Sequence, residues 1–250
     1  MIAVVIPCFN EALRFNVSLW QDTISKFDNY YWIFVNDGST DATSFVLNTL
    51  QGENLRIIEY DSNLGKGEAI RFGLSYILEE LPKTDLLLIG FLDADYAFSQ
   101  NDVKYILNES LEKIHLVGEF DVVIGSRVKL AGRDIIRDNF RHYLGRIITT
   151  FICLGWKSAP YDTQSGFKIF RLNGNFKDAI KNPFETNWFF DVELFLRLEN
   201  LQPLRICELP VMSWHETKGG NIRIKNFYSI LVEILRVRSL VRQHLRARKI

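Results

Sequence analysis

The chain predicts an α/β fold built on a mostly parallel, doubly wound sheet, and three observations carry that expectation. Short β-branched or aliphatic runs, IAVVI, YYWIFV, LRIIEY, LLLIGFL and FDVVIG, alternate with segments of helix length. The runs are apolar almost throughout, as strands covered on both faces are. Each also ends in a polar cluster: PCFNE, NDGSTD, DSNLGKG, DADYAFS and GSR in turn. Right-handed crossovers place helices on both faces of such a sheet, and its ligands bind beyond the carboxyl ends of the strands. The five clusters are therefore expected to converge on one crevice.

Taken in order, the five runs place the sheet within residues 1–127. Beyond Arg127 the rhythm breaks. Residues 132–156 predict a basic amphipathic helix carrying Arg133, Arg137, Arg141 and Arg146, and YDTQSGFKIF predicts a strand. A helix is expected over residues 188–199, where Phe190, Leu194, Phe195 and Leu198 recur at helical spacing. LRICELPV predicts another strand, and FYSILVEILRVRSLVRQHLRARKI a basic C-terminal helix. With no repeat, low-complexity tract or Pro/Gly-rich linker, one domain over residues 1–250 is expected.

Composition narrows the function classes. At 250 residues and 47% hydrophobic, the chain can bury a sizeable core. Thirty basic and thirty acidic residues cancel, so no global field argues for nucleic acid. Cys8, Cys153 and Cys207 lie far apart without metal-ligand spacing, which fits a reducing cytosol. The start, MIAVVIPCFNE, lacks the basic opening of a signal peptide, and no apolar run approaches the ~18 residues a membrane helix requires.

Two carboxylates, Asp93 and Asp95, stand one residue apart at the end of the LLLIGFL run. Capping the next helix needs only one of them; two can present hard oxygen ligands to Mg²⁺ or Mn²⁺, which commonly also hold substrate phosphates. In NDGSTDAT, Asp37 lies nearest the strand end, where it could accept hydrogen bonds from a base or ribose, while Asp41 suits a helix start. NLGKGEAIRFG sets glycines around Lys66 at a helix start without the longer spacing of a triphosphate cradle, so Lys66 is a candidate to neutralise a diphosphate and equally an ordinary solvated lysine. A sugar nucleotidylyltransferase would share this core but would carry a Gly-rich basic loop after the first strand, and PCFNE is not one.

The ordered set IPCFNE, VNDGSTDAT, NLGKGEAIRFG, FLDADYAFS, VVIGSR and DTQSGFKIF resembles glycosyltransferase family 2 over nearly the whole chain. Within that family it is most similar to the polyprenyl-phosphate sugar transferases, the dolichyl-phosphate glucosyltransferases first and the mannosyltransferases next. The resemblance implies a GT-A fold that binds a nucleoside-diphosphate sugar, UDP-glucose before GDP-mannose, and inverts the anomeric centre. Residues 1–127 would form the nucleotide-binding half, 128–224 the acceptor- and sugar-binding half, and 225–250 a basic amphipathic helix. Carried over by motif, Pro7, Asn10, Glu11 and Asp37 would line the nucleoside, Asp93 would sit near ribose or metal, and Asp95 would be the principal ligand of a divalent cation, Mg²⁺ or Mn²⁺. Arg127 would lie near the sugar or acceptor phosphate, and Asp162, Gln164, Ser165 and Gly166 would shape the sugar pocket. Ala97 departs from the mannosyltransferases, which often place a metal-competent side chain there.

A phosphate acceptor is largely ionised at neutral pH and can attack without a base; a saccharide hydroxyl needs one, for which Asp162, Asp191 and Glu193 are candidates, Glu193 being the more suited to ion pairing. An inactive nucleotide-sugar-binding protein is the further alternative. SWHETKGGNIRIK offers His215, Lys218 and Arg223 without singling one out. The tail carries Lys225, Arg236, Arg238, Arg242, Arg246, Arg248 and Lys249 against Glu233, with Ile230, Leu231, Ile234, Leu235 and Val241 for an apolar stripe. Together with the basic stretch at 133–146, this points to a peripheral enzyme at the cytoplasmic face of a membrane, meeting a lipid-phosphate acceptor or a membrane-protein partner. Packing on the core is the competing use of the same tail.

Overall fold

A computed structural model describes residues 1–81, 86–217 and 227–248, with the side chains of residues 227 and 228 excepted. Lys218, Arg223, Lys225 and Lys249 lie outside the described residues.

From the N-terminus the chain forms β1 (Ile2–Cys8), α1 (Val17–Lys26), β2 (Tyr30–Asp37), α2 (Thr43–Leu47), β3 (Leu55–Tyr60), α3 (Lys66–Glu80), β4 (Leu88–Leu92), α4 (Gln100–Ser110) and β5 (Val122–Ser126). It continues with β6 (Asp134–Ile136), α5 (Asn139–Cys153), β7 (Phe167–Arg171), α6 (Gly174–Ile180), α7 (Phe190–Leu201), β8 (Ile206–Pro210), β9 (Ser213–His215) and α8 (Phe227–Ala247). A single π-helical turn, Leu111–Leu116, prolongs α4.

Seven strands make one sheet in the order β3-β2-β1-β4-β7-β5-β8, and β6 pairs with β9 in a separate two-stranded ladder. The expected α/β sheet is present and mostly parallel; only β7 runs antiparallel, to both β4 and β5. Two expectations are corrected. The sheet does not finish at residue 127, because β7 and β8 come from the later half, and β7 inserts between β4 and β5. Nor is 132–156 one helix: Asp134–Ile136 is extended and paired with β9, and the helix begins only after Asp138, whose carboxylate accepts from the Arg141 N–H. An N-cap aspartate ends the strand there more strongly than helical periodicity extends the helix.

Pleating sorts the strands between two cores. Val5, Val35, Phe91 and Phe170 face α3, α6 and α7 on one side. Ile6, Phe34, Leu92 and Phe167 face α1 and α4 on the other, around the fully buried Trp20 and Trp32. Each of these large side chains contributes roughly 1.5–3 kcal/mol when removed from water. Gly73 lets α3 approach the sheet: a Cβ there would lie 2.6 Å from Val5. The carboxyl ends of β1, β2, β4 and β5 thus open on one edge, and β6, β9 and α5 flank it.

Candidate active site

The turn after β4 is held rigidly. Ser99, not an aspartate, caps α4, its Oγ accepting from the Asp102 N–H at 3.1 Å, so Asp93 and Asp95 are free for other work. Trp20 Nε1 donates to the Ala94 carbonyl at 3.0 Å. Tyr96 sits at φ 54°, a conformation that costs a bulky residue roughly 1–2 kcal/mol. Its ring meets Trp20 edge to face at 4.9 Å, and its hydroxyl bonds Thr23, which offsets that cost.

Asp93 forms an ion pair with Lys66 at 2.6 Å, from the first turn of α3. Its N–H donates to the Gly166 carbonyl at 2.9 Å. A Cβ on Gly166 would fall 2.1 Å from the Asp93 carboxylate, so only glycine fits there. Asp95 Oδ2 accepts from the Thr217 hydroxyl at 2.6 Å and Oδ1 from the Ala97 N–H at 3.2 Å. Burial, and then the charge of Asp93, push the Asp95 carboxyl above its ordinary range against these two donors. Burial also raises Glu11, with Asp95 and Asp93 adding to the rise and Arg14 opposing it. Burial pushes the Lys66 ammonium down, but Asp93 and Asp191 outweigh it and leave its pKa raised.

No group of three or more His, Cys, Asp or Glu able to hold a metal occurs among the described residues. Two adjacent, partly desolvated carboxylates nevertheless fit a divalent ion that draws its other ligands from phosphate and water.

Around this pair the expected nucleoside residues take mostly internal partners. Asn10, at φ 52°, accepts from the Thr40 N–H at 2.9 Å. The Glu11 N–H donates to Thr43 Oγ1 at 2.8 Å, and Glu11 Oε2 is buried with no partner among the described residues. Pro7 lies on β1 opposite Val35. Asp37 is buried, and its oxygens accept from the Leu64 and Gly65 N–H groups at 2.8 and 2.9 Å and from Asn63 Nδ2 at 3.1 Å. It thereby holds the loop that delivers Lys66. Asp41 accepts from the Thr43 N–H at 2.9 Å at the start of α2, as its place in the sequence suggested.

The opposite wall is built on Arg127 and Asp162. Arg127 donates through its N–H, Nε and Nη2 to the Asp162 carboxylate at 2.8, 2.9 and 2.7 Å, and through Nη2 to the Gln164 carbonyl at 2.9 Å. Asp162 is oriented in turn by Glu208 on β8, which accepts the Tyr161 and Asp162 N–H groups at 2.6 and 2.8 Å. Burial opposes the charge of Asp162, but Arg127 overwhelms it and holds the carboxyl at about 2. Ser165 is buried with its hydroxyl on the Gly125 carbonyl, while Gln164 reaches the Trp188 carbonyl at 3.1 Å.

Asp191 lies in the first turn of α7 and pairs at 2.6 Å with Lys168, whose side chain is fully buried beside the Phe91 and Phe195 rings. Burial, only partly offset by the attraction between them, pushes the Lys168 ammonium down. Glu193 accepts from the Glu185 and Thr186 N–H groups and from Arg197, which is the ion-pairing role its sequence favoured. His215 is exposed and bonds Asp134 at 2.7 Å, across the ladder of β6 and β9.

Below Arg127 a pocket of about 190 Å³ gathers Arg137, Arg141, His142 and Arg146 with Trp214. Arg141 is matched by Glu216 at 2.9 Å, and Arg127 by Asp162. Arg137 and Arg146 meet no carboxylate among the described residues: Arg137 bonds His142 and the Arg127 carbonyl, and Arg146 the Tyr161 carbonyl. Arg146 also lines an adjoining groove of about 420 Å³ formed by Tyr143, Ile147, Thr150, Phe151 and Leu154.

Sequence reasoning passed over Lys168, Thr217 and Trp214 as site residues, and read Arg137 only as part of the basic stretch at 133–146. A lysine inside the otherwise apolar FKIF strand was the available signal for Lys168. Thr217 and Trp214 had none, since only pairing of β9 with β6 brings them to the crevice.

Known proteins place this geometry. The chain is 31% identical to a dolichyl-phosphate beta-glucosyltransferase of Saccharomyces cerevisiae, over 89% of this chain and 69% of that one. It is 28% identical to one from Trichomonas vaginalis, over 94% and 72% of the two chains. Among solved structures, glucosyl-3-phosphoglycerate synthase of Mycobacterium tuberculosis in complex with UDP superposes with a TM-score of 0.62 at 17% identity, covering 98% of this chain and 80% of that one. Its complex with Mn²⁺, UDP-glucose and phosphoglyceric acid gives 0.62 at 16% identity, over 98% and 79%. At such identity the likeness establishes the shared fold. The Glycosyl transferase family 2 profile matches residues 3–195, and the chain therefore belongs to glycosyltransferase family 2, as a glycosyltransferase of the GT-A fold.

Proposed function

We propose that this enzyme transfers glucose from UDP-glucose to the phosphate of a polyprenyl phosphate, with inversion at the anomeric carbon. One observation carries the choice of acceptor: the arginine pocket and the apolar groove on α5 adjoin and share Arg146. An anion site opening directly on an apolar trough fits a phosphate attached to a long hydrocarbon chain. The curated relatives, which are dolichyl-phosphate beta-glucosyltransferases, support the same acceptor and sugar.

The residues divide the work. Glu11, with its unpartnered buried Oε2, accepts from the nucleoside, while Asp37 acts indirectly by fixing the loop before Lys66. Lys66, at the positive N-terminal end of α3, receives the charge that grows on the diphosphate. Asp95 with Asp93 would hold a divalent cation, which when bound supplies further stabilisation of the departing diphosphate. Gly166 and Gln164 border the sugar beside Asp93, and Ser165 sets the backbone between them. As the bond between the anomeric carbon and the diphosphate oxygen breaks, an acceptor phosphate oxygen bonds to the opposite face of that carbon, leaving UDP.

The committed carboxylates bear on the acceptor class. Asp162, held at about 2 with both oxygens on Arg127, cannot take up a proton at neutral pH. Asp191 is engaged by Lys168, and Glu193 by backbone donors and Arg197. A hydroxyl acceptor would lack each of the three bases expected for it, whereas an ionised phosphate needs none.

Among the described residues no helix is long and apolar enough to cross a membrane. We place the enzyme peripherally on the cytoplasmic face, with the exposed apolar stripe of α5 against lipid. The test is incubation with radiolabelled UDP-glucose and vesicles carrying polyprenyl phosphate. An acid-labile, organic-extractable glucolipid is expected; transfer only to saccharides would overturn the acceptor.

A further inference from the structure

The short strand β9 and the three residues flanking it, Met212, Glu216 and Thr217, touch both halves of the crevice. At its start, the buried Asp102 of α4 accepts the Met212 and Ser213 N–H groups at 2.6 and 3.1 Å. Trp214 then bridges to Phe98 and lies beneath the guanidinium groups of Arg127 and Arg137, 5.2 and 5.8 Å from its ring centre. The His215 N–H donates to the Ala97 carbonyl at 3.1 Å, and the Glu216 carboxylate accepts from Arg141 and the Asp138 N–H. Two residues later the Thr217 hydroxyl donates to Asp95 Oδ2 at 2.6 Å. One extended segment therefore supplies the aromatic plate under the arginine pocket and a hydrogen bond that fixes the rotamer of Asp95.

We propose that Thr217 is a positioning residue for Asp95, and that residues 213–217 act as a strap coupling the orientation of this carboxylate to the arginine pocket. The proposal rests on Asp95 serving the donor's cation, as above. A ligating carboxylate whose second oxygen is held by a hydroxyl is presented with one orientation, and the loss of such a partner commonly weakens metal binding by about 10–100-fold. The strap gives that orientation a second determinant: Trp214, stacked under Arg127 and bridged to Phe98, stands three residues before Thr217 on the same extended segment. Occupancy of the arginine pocket thereby bears on the donor side through covalent chain and a strand ladder only three residues long.

The experiment measures Mn²⁺ binding in the presence of UDP by the loss of the free-ion paramagnetic resonance signal, so that turnover is not the readout. Thr217→Val is expected to weaken binding about tenfold, with Thr217→Ala doing the same and Thr217→Ser restoring it, while UDP affinity in chelator stays unchanged. Trp214→Leu, which does not touch Asp95, is expected to weaken Mn²⁺ binding in the same direction by a smaller factor. Full binding in both Thr217→Val and Thr217→Ala, with Asp95→Ala abolishing it, overturns the role of Thr217 and leaves the cation assignment standing. Full binding in Asp95→Ala overturns both. Wild-type binding in Trp214→Leu removes the coupling to the acceptor side.

Discussion

α5 and α8 look alike as sequences, each basic and amphipathic, yet the fold treats them in opposite ways. Along α8, Val237 and Val241 are fully buried. One of its arginines turns inward: Arg238 donates to the Ile152 and Leu154 carbonyls at 3.1 and 2.7 Å, and just past the helix Arg248 pairs with Glu199 at 2.7 Å. Along α5, Phe140, Leu144, Ile147, Phe151 and Leu154 recur at helical spacing and stay exposed, Phe140 at 75% and Ile147 at 67%. Of the two uses the tail's sequence allows, packing on the core is seen at Val237 and Val241, while Leu231, Val232 and Leu235 remain exposed on it; α5 carries the longer unburied stripe. Amphipathicity states that a helix has an apolar side, not which surface will cover it.

The largest expected effect breaks the comparison from the α8 side. Val241→Asp places an unpaired carboxylate in a fully buried site and should cost about 4 kcal/mol, read as a lowered midpoint in urea. The matching change on α5, Phe140→Asp with Ile147→Asp, should leave that midpoint within about 0.5 kcal/mol per site. Sedimentation with anionic vesicles should instead fall by about two orders of magnitude, from the loss of two apolar side chains at roughly 1.5 kcal/mol each. Undiminished sedimentation of the double variant would remove α5 from the bilayer.

Next comes the clamp of Arg127 on Asp162, beside the pocket that α5 lines. The folded-state pKa of Asp162 is depressed to about 2 from an ordinary 3.8, so its contribution is full above that ordinary value and is lost as pH falls toward 2. The difference corresponds to about 2 kcal/mol. Urea melts at pH 6, 3 and 2 should show Asp162→Asn losing less stability across this window than the parent. Smaller still, Gly166→Ala should push Asp93 off Lys66 and reduce kcat/KM for the donor about tenfold, because a 2.1 Å contact must be relieved at the carboxylate itself. The smallest effect belongs to His215→Ala: the exposed pair with Asp134 should be worth less than about 0.5 kcal/mol by chemical melting.

What the sequence disclosed follows from how local each signal is. Five β runs, their polar ends and the Asp93–Asp95 pair are written within a few consecutive residues, and the structure places them at one sheet edge. The partners of those residues are not so written. Asp37 reads as a nucleoside contact until the loop at 63–65 closes over both its oxygens. Asp162 reads as a base until Arg127, 35 residues away, saturates it. Lys168 in FKIF and Thr217 past the SWH strand acquire meaning only through Asp191 and Asp95.

The antiparallel strand β7 in the sheet's interior also governs how the protein can be made. β4 and β5 lie 30 positions apart by their last and first residues, yet they do not pair with each other; Phe167–Arg171 inserts between them. A chain growing from the ribosome past residue 127 therefore holds β1 to β4 with an open, apolar edge at β4, and β5 without a neighbour. That edge closes only after some forty further residues have emerged, by the separation of Ser126 from Phe167. A fragment cut at residue 127 would keep that edge uncovered, and is expected to aggregate rather than fold.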